Sequence, residues 1–215
     1  MTTADDRPMS ARFKEGCADL HDAAESSDFA RRMVKAELTR DDYIEMLRRS
    51  LPIHESLDNA IRAHRDAVPQ LKALVTDEQL HGPHIRADLE YFNESTSDIQ
   101  PTPALSEAIA KINHAADANP LLLLAFHYVR EGANNGNHFI SRKIRQNLDL
   151  PERDGSRHID PYGPAQREKW AAFKTTLDAL HFTPTERDQL VETAREMFRI
   201  VMAIHDDLSA RTQTV

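Results

Sequence analysis

Long segments in which apolar residues recur every 3.6 positions run through this chain, with few β-branched stretches and only six glycines among 215 residues. That periodicity specifies helices with one buried stripe, and it predicts an all-α, single-domain multi-helix bundle. The pattern places helices over about 10–26, 28–37, 40–66, 76–93, 103–117, 120–148, 164–180 and 184–211. Ser10, Thr39 and Thr183 stand where N-caps belong, Pro184 suits a first helical position, and "TPTE" (183–186) has capping-box spacing. The Pro-, Ser- and Asp-rich segments 93–103 and 149–164 read as loops. Residues 1–9 read as a disordered N-terminus ahead of one domain spanning 10–215.

One stretch resists its own surroundings. "YVREGANNGNHFISRKI" (128–144) continues the apolar run "NPLLLLAFH" and leads into a basic helical tail, yet it holds two glycines and three asparagines, which are poor formers of helix interiors. At 100° per residue Ala125, Val129, Gly132, Gly136, Phe139 and Ile140 share a stripe, which puts both glycines on a buried face. Two explanations fit. Another helix packs closely on the small patch, or something flat lies against bare backbone.

The totals exclude several classes. No run of 18 apolar residues exists, so no membrane span is expected. The start "MTTADDRPMS" lacks the basic and apolar regions of a signal peptide, which predicts a cytoplasmic protein. Cys17 is the single cysteine, and a net charge of −8 argues against nucleic acid as a partner. Eleven histidines point toward metal or proton chemistry. On the first helix His21 borders an apolar stripe of Phe13, Cys17, Leu20 and Ala24, with Glu25 one turn on. Such a histidine offers one nitrogen to a metal while the other donates to the carboxylate; an ion-paired, partly buried histidine is the plainer reading. "HGPHIRAD" sets His81, His84 and Asp88 on one helical face, a spacing able to bind metal. Cys17 reads as core, and His64, His114, His158, His181 and His205 have no patterned partners.

In order and spacing, "LHDAAESSDFARRMVKAELTRDDYIEML", "HGPHIRADLEYF", "YVREGANNGNHFISRKI" and "DPYGPAQREKWAAFKTTLDALHFTPTERDQLVETAREMFRIVMAIHDDL" together resemble the heme oxygenase family over residues 10–208. The resemblance implies that heme b, substrate and cofactor at once, lies between the first helix and a glycine-containing distal helix. It implies His21 as iron ligand with Glu25 behind it, and Gly132, Gly136 and Asn137 as the distal wall. Lys14, Tyr128 and Lys174 would then hold the propionates, and His81 becomes structural. The implied products are biliverdin, carbon monoxide and ferrous iron. Electrons would come from a ferredoxin or an NADPH-dependent flavin reductase, with Arg142, Lys143 and Arg145 in "SRKIRQ" as a docking patch or simply a solvated helix end. A monomer or weak dimer is expected.

The chain departs from the family at the distal aspartate, replaced here by Ala133 or Asn134. His54, Asn134 and Arg130 are the expected catalytic set of a different water network. His138 is expected at the surface, although a kink at Gly136 would turn it toward the iron. That departure keeps an alternative in play: a heme-binding protein for storage, transfer or sensing that does not degrade its ligand. A non-heme di-iron oxygenase is a third reading.

Overall fold

The computed structural model describes residues 7–212, and its regular structure is helical, without strands among those residues. The helices are α1 (Met9–Gly16), α2 (Ala18–Glu25), α3 (Asp28–Val34), α4 (Arg40–His64), α5 (Pro69–Leu74), α6 (Gly82–Tyr91), α7 (Pro103–Ala118), α8 (Leu123–Asn147), α9 (Gln166–Asp178) and α10 (Pro184–Thr212). The long α10 is the spine: α1, α2, α3, α4, α7 and α8 all pack on it, α9 packs on α8, and α6 and α7 flank α4. No described helix is long and apolar enough to cross a membrane.

Local chemistry sets the helix starts. Thr39 caps α4 through a reciprocal pair: Asp42 N–H donates to Thr39 Oγ1 at 3.1 Å, and Thr39 N–H to Asp42 Oδ2 at 3.0 Å. Thr183 and Glu186 repeat the device at α10, with Thr183 N–H donating to Glu186 Oε2 at 2.7 Å. Buried Tyr43, Leu47, Leu51, Leu57 and Ile61 give α4 a core stripe.

Several expectations need correction. Ser10 is not an N-cap: α1 begins at Met9 after Pro8, and Ser10 gives its N–H and hydroxyl to Asp178, at 2.8 and 2.7 Å. Residues 1–6, expected to be disordered, lie outside the described residues; Met9 is helical and buried. The first long helix is interrupted at Cys17 (φ −113°, ψ 3°). There Gly16 lies so close to α10 that a Cβ would sit 2.5 Å from Val191 Cγ1. The Arg195 guanidinium covers the interruption, donating to the Gly16 carbonyl at 2.6 Å and to both Asp19 oxygens at 2.6 and 2.9 Å. Helix α6 starts only at Gly82, because Pro83 fits a first turn and the preceding Thr76–Gln79 capping box closes a short 3-10 turn instead.

The glycines are also displaced from the face predicted for them. The buried stripe of α8 runs through Leu123, His127, Arg130, Asn134, Ser141 and Ile144, while Gly136 is exposed, Gly132 half-buried and Phe139 76% exposed. From His127 to Ser141 polar side chains share or replace apolar ones on the buried side, and periodicity read from apolar residues alone therefore misses that stretch.

Candidate functional site

The α8 helix separates two environments. On one side Gly132, Ala133 and Gly136 form a patch with no side chain beyond a Cβ. A Cβ at Gly136 would meet nothing within 4 Å, and one at Gly132 would meet only Trp170, at 3.8 Å. At Gly132 the neighbour is the Trp170 ring of α9 at ordinary contact distance, whereas nothing packs on Gly136, so close helix packing does not account for the second glycine. The helix runs as one element from Leu123 to Asn147. The patch ends at Tyr128, whose ring stacks on Phe13 of α1 at 4.2 Å and whose hydroxyl makes a long 3.5 Å bond to the Ser10 carbonyl.

His21 projects from α2 with 53% of its side chain exposed, its ring edge-on to Phe198 at 5.8 Å. Its Nε2 lies 3.6 Å from Glu25 Oε1 and its Nδ1 3.8 Å from Asp22 Oδ1, both beyond ordinary hydrogen-bonding distance. Either nitrogen is therefore available to a metal while a carboxylate waits for the proton on the other. Two cationic groups have no acidic partners among the described residues. Lys14 is exposed one helix earlier, and Lys174 Nζ lies 5.5 Å from the centroid of the Trp170 ring. Asn137 is half-buried, and its side chain has no hydrogen-bond partner among the described residues.

The other side of α8 is a buried polar network. Arg130 and Asp58, each with 1% of its side chain exposed, form an ion pair at 2.5 Å. Asp58 Oδ2 also accepts from Gly82 N–H at 2.8 Å, and Arg130 contacts His127 Nδ1 at 2.8 Å. Arg130 therefore ties α8 to α4 and α6 instead of facing open space. Asn134 lies about 160° around α8 from Gly136 and Gly132 by the 100° rule. Its amide bonds His81 Nε2 at 2.9 Å and Glu131 Oε1 at 3.2 Å, and Tyr162 Oη donates to Glu131 at 3.0–3.1 Å. Burial pushes the Glu131 carboxyl up to about 7, offset by Arg130 and by the Tyr162 bond. His54 joins this cluster, its ring stacked on His81 with centroids 5.2 Å apart.

Around α8 itself the expected residues thus fall on two sides. Gly132, Gly136 and Tyr128 lie on the open side, Lys174 neighbours it through Trp170, and Lys14, His21 and Glu25 stand on α1 and α2. Expected at one open site with them, His54, Arg130 and Asn134 lie behind it, in contact with each other's neighbours and not with the bare patch. His138 is neither a loose surface residue nor turned toward the bare patch: Asp160 Oδ1 holds its Nδ1 at 2.8 Å, and the same carboxylate receives Arg145 at 3.0 Å and Ser141 at 3.3 Å. Arg145 is accordingly spent on Asp160, and the depression beside it also contains Asp149 and Glu152. Arg142 and Lys143 remain exposed.

Sequence reasoning missed Glu131, Tyr162 and His158. Glu131 carries a weak signal, an acid on the half-turn between Arg130 and Asn134, but a carboxylate in a helical run looks solvated until its neighbours are known. Asp88, read as one of three helical ligands, instead accepts from the backbone N–H groups of Arg157 and His158 at 2.9 and 2.8 Å, which fixes the loop that delivers His158. Burial raises Asp88 to about 7 despite those bonds. Cys17 is core as expected: it is buried, and burial lifts its thiol to about 11.

Over residues 7–207 the chain matches the family described as heme oxygenase. It is similar to heme oxygenase 1 of Homo sapiens, 23% identical over 93% of this chain and 71% of the relative. It is similar at 24% identity to heme oxygenase 2 of a Synechocystis species, over 93% of this chain and 82% of that protein. The fold superposes on the Synechocystis heme oxygenase-2 crystal structure, in complex with heme and NO, with a TM-score of 0.88 at 22% identity, covering 97% of this chain and 88% of that one.

Proposed function

We infer the activity from a premise that the preceding matches establish: this chain belongs to the heme oxygenase family. Its proposed reaction is the oxidative opening of heme by O2 and external electrons to biliverdin, carbon monoxide and ferrous iron. Heme is the substrate, and it brings the redox-active iron at which the oxidation is done.

The protein's part is binding, orientation and proton supply. His21 offers an imidazole nitrogen to the iron, with Glu25 or Asp22 taking the proton of the other nitrogen and so fixing the ring. The Gly132–Ala133–Gly136 patch gives a flat ligand a wall of backbone. Lys14, Lys174 and the Tyr128 hydroxyl are the groups to orient the propionates. As Lys174 is a point charge, it fixes ring rotation less tightly than a two-pronged guanidinium would.

Behind the wall, Glu131 holds a proton at its carboxyl with a pKa near neutrality, bonded to Tyr162 Oη and the Asn134 amide. Asn134 connects it to His81. In this reading His54, Asn134 and Arg130 position the proton reservoir and do not touch the substrate. Exposed Arg142 and Lys143 are the docking cations for a ferredoxin or flavin reductase. Because His138 is held by Asp160, a second histidine ligand is not at hand, which favours turnover over storage.

The observation carrying this reading is His21, an imidazole with 53% of its side chain exposed and both ring nitrogens beyond hydrogen-bonding distance of their neighbours, on a helix that packs against α10. Heme titration of the protein followed by ascorbate and O2 tests it. The expected result is one equivalent of heme bound through a single histidine, then conversion to a biliverdin spectrum. An unchanged Soret band in His21→Ala would refute the assignment.

A further inference from the structure

Three histidines from distant parts of the chain converge beside α8. His54 comes from α4, His81 immediately precedes α6, and His158 lies in the loop between α8 and α9. Each offers a ring nitrogen, and the three nitrogens lie within 4.8 Å of one another. The His54 and His81 rings are stacked, and His158 stands edge-on to both, with centroids 5.1 and 5.5 Å away. His81 Nδ1 and His158 Nδ1 are 3.4 Å apart. In a tetrahedral site with metal–nitrogen bonds of about 2.0–2.1 Å, ligand nitrogens are separated by roughly 3.3–3.4 Å. One edge of such a tetrahedron is therefore already present, and a His54 nitrogen lies within 4.8 Å of a nitrogen on each of the other two rings.

Other features suit a ligand. His54 Nδ1 is buried with no hydrogen-bond partner, an uncompensated polar atom in a packed interior. His81 is fully buried, whereas His54 and His158 are half-buried, so the cluster has a solvent side by which an ion gets in. Asp88 fixes the loop carrying His158 through two backbone N–H groups. Asn134 sits 2.9 Å from His81 Nε2. With its amide turned so that Oδ1 accepts from His81 Nε2–H, and with the protonated Glu131 carboxyl donating to the same oxygen in place of accepting from the amide, the lone pair of His81 Nδ1 faces the other rings. Burial also depresses all three imidazoles, His158 to about 3, so each presents a neutral ring.

We propose that His54, His81 and His158 form a binding site for a divalent transition-metal ion of the zinc class, separate from His21, with a fourth position left to water or another small ligand. The choice of ion follows from the donors: three imidazoles suit zinc, cobalt, nickel or copper and do not suit magnesium or calcium.

Cobalt(II) titration of the chelator-treated full chain tests it. One equivalent is expected to give the intense visible bands of tetrahedral cobalt, and zinc should displace it. His54→Ala and His158→Ala should each weaken binding at least tenfold, while His21→Ala, which removes the exposed His21–Asp22–Glu25 group, should bind as the unaltered chain does. Binding that disappears with His21, or that survives both other substitutions, overturns the proposal, as does absence of the bands at millimolar cobalt. Should the alanine variants misfold by circular dichroism, pulsed electron paramagnetic resonance of the copper(II)-loaded unaltered chain decides: three coordinated imidazoles support the site, and one or none refutes it.

Discussion

Substituting alanine at Gly136 should make the protein more stable and leucine there should make it a worse heme binder. A glycine inside a helix costs about 1 kcal/mol relative to alanine, because it exposes backbone and loses more conformational freedom on folding. At Gly136 nothing offsets that cost in the heme-free fold, since a Cβ there meets no atom within 4 Å. For a chain of this size 1 kcal/mol corresponds to about 2–4 °C in Tm. Gly136→Ala is thus expected to raise the melting temperature of heme-free protein by that amount, followed by circular dichroism. Gly16→Ala supplies the contrast. Its Cβ would fall 2.5 Å from Val191 Cγ1, and overpacking of that kind costs about 1–3 kcal/mol, so the same chemical change should lower Tm. Gly136→Leu then places a branched side chain where the substrate plane is proposed to rest. Soret titration should show heme affinity reduced at least tenfold, about 1.4 kcal/mol. If Gly136→Ala melts lower than the parent, the open space beside α8 is not there. If Gly136→Leu binds heme as the parent does, the glycine patch is not the wall.

Three further outcomes follow from the buried network and its surroundings. Asp58→Ala strands the Arg130 guanidinium and should cost about 3–5 kcal/mol in urea denaturation, whereas replacing both partners with apolar residues of similar volume should cost much less. Burial depresses His205, bonded to Ser27 Oγ at 2.8 Å, to about 4. The folded chain therefore binds fewer protons than the unfolded one between pH 6.5 and 4. That contribution to stability is whole above pH 6.5 and is lost as pH falls, with a slope approaching about 1.4 kcal/mol per unit, which urea midpoints at pH 7 and 5 should reveal and His205→Gln should flatten. His138→Ala should leave the spectrum of heme-loaded protein unaltered, and a changed ligation state would mean that His138 reaches the iron after all.

The fold was legible because apolar periodicity and threonine caps are local: Thr39 and Thr183 make the reciprocal bonds their spacing implies. The open side of the site was legible in part, since His21 and Glu25 lie one turn apart and need no tertiary information to be paired. What stayed hidden is non-local. His54, His81 and His158 acquire meaning only when α4, the start of α6 and the loop held by Asp88 come together, and no spacing encodes that. The glycines mislead for a related reason. Their apolar neighbours Ala125 and Val129 are buried, but farther along α8 the interior is filled by Arg130, Glu131 and Asn134, so the hydrophobic stripe and the buried stripe part company.

The Arg130–Asp58 pair also constrains which sequences lie near this one. Domains hold together by only about 5–15 kcal/mol, so losing either partner alone removes a large share of the margin. Exchange of both for apolar residues lands on firm ground again. The obstacle lies between those two endpoints, and each one-step departure passes through a protein with a sharply reduced margin. Drift that rewrites the surface of the bundle freely is therefore expected to leave this charged pair in place as a frozen choice, retained for want of a passable route away from it.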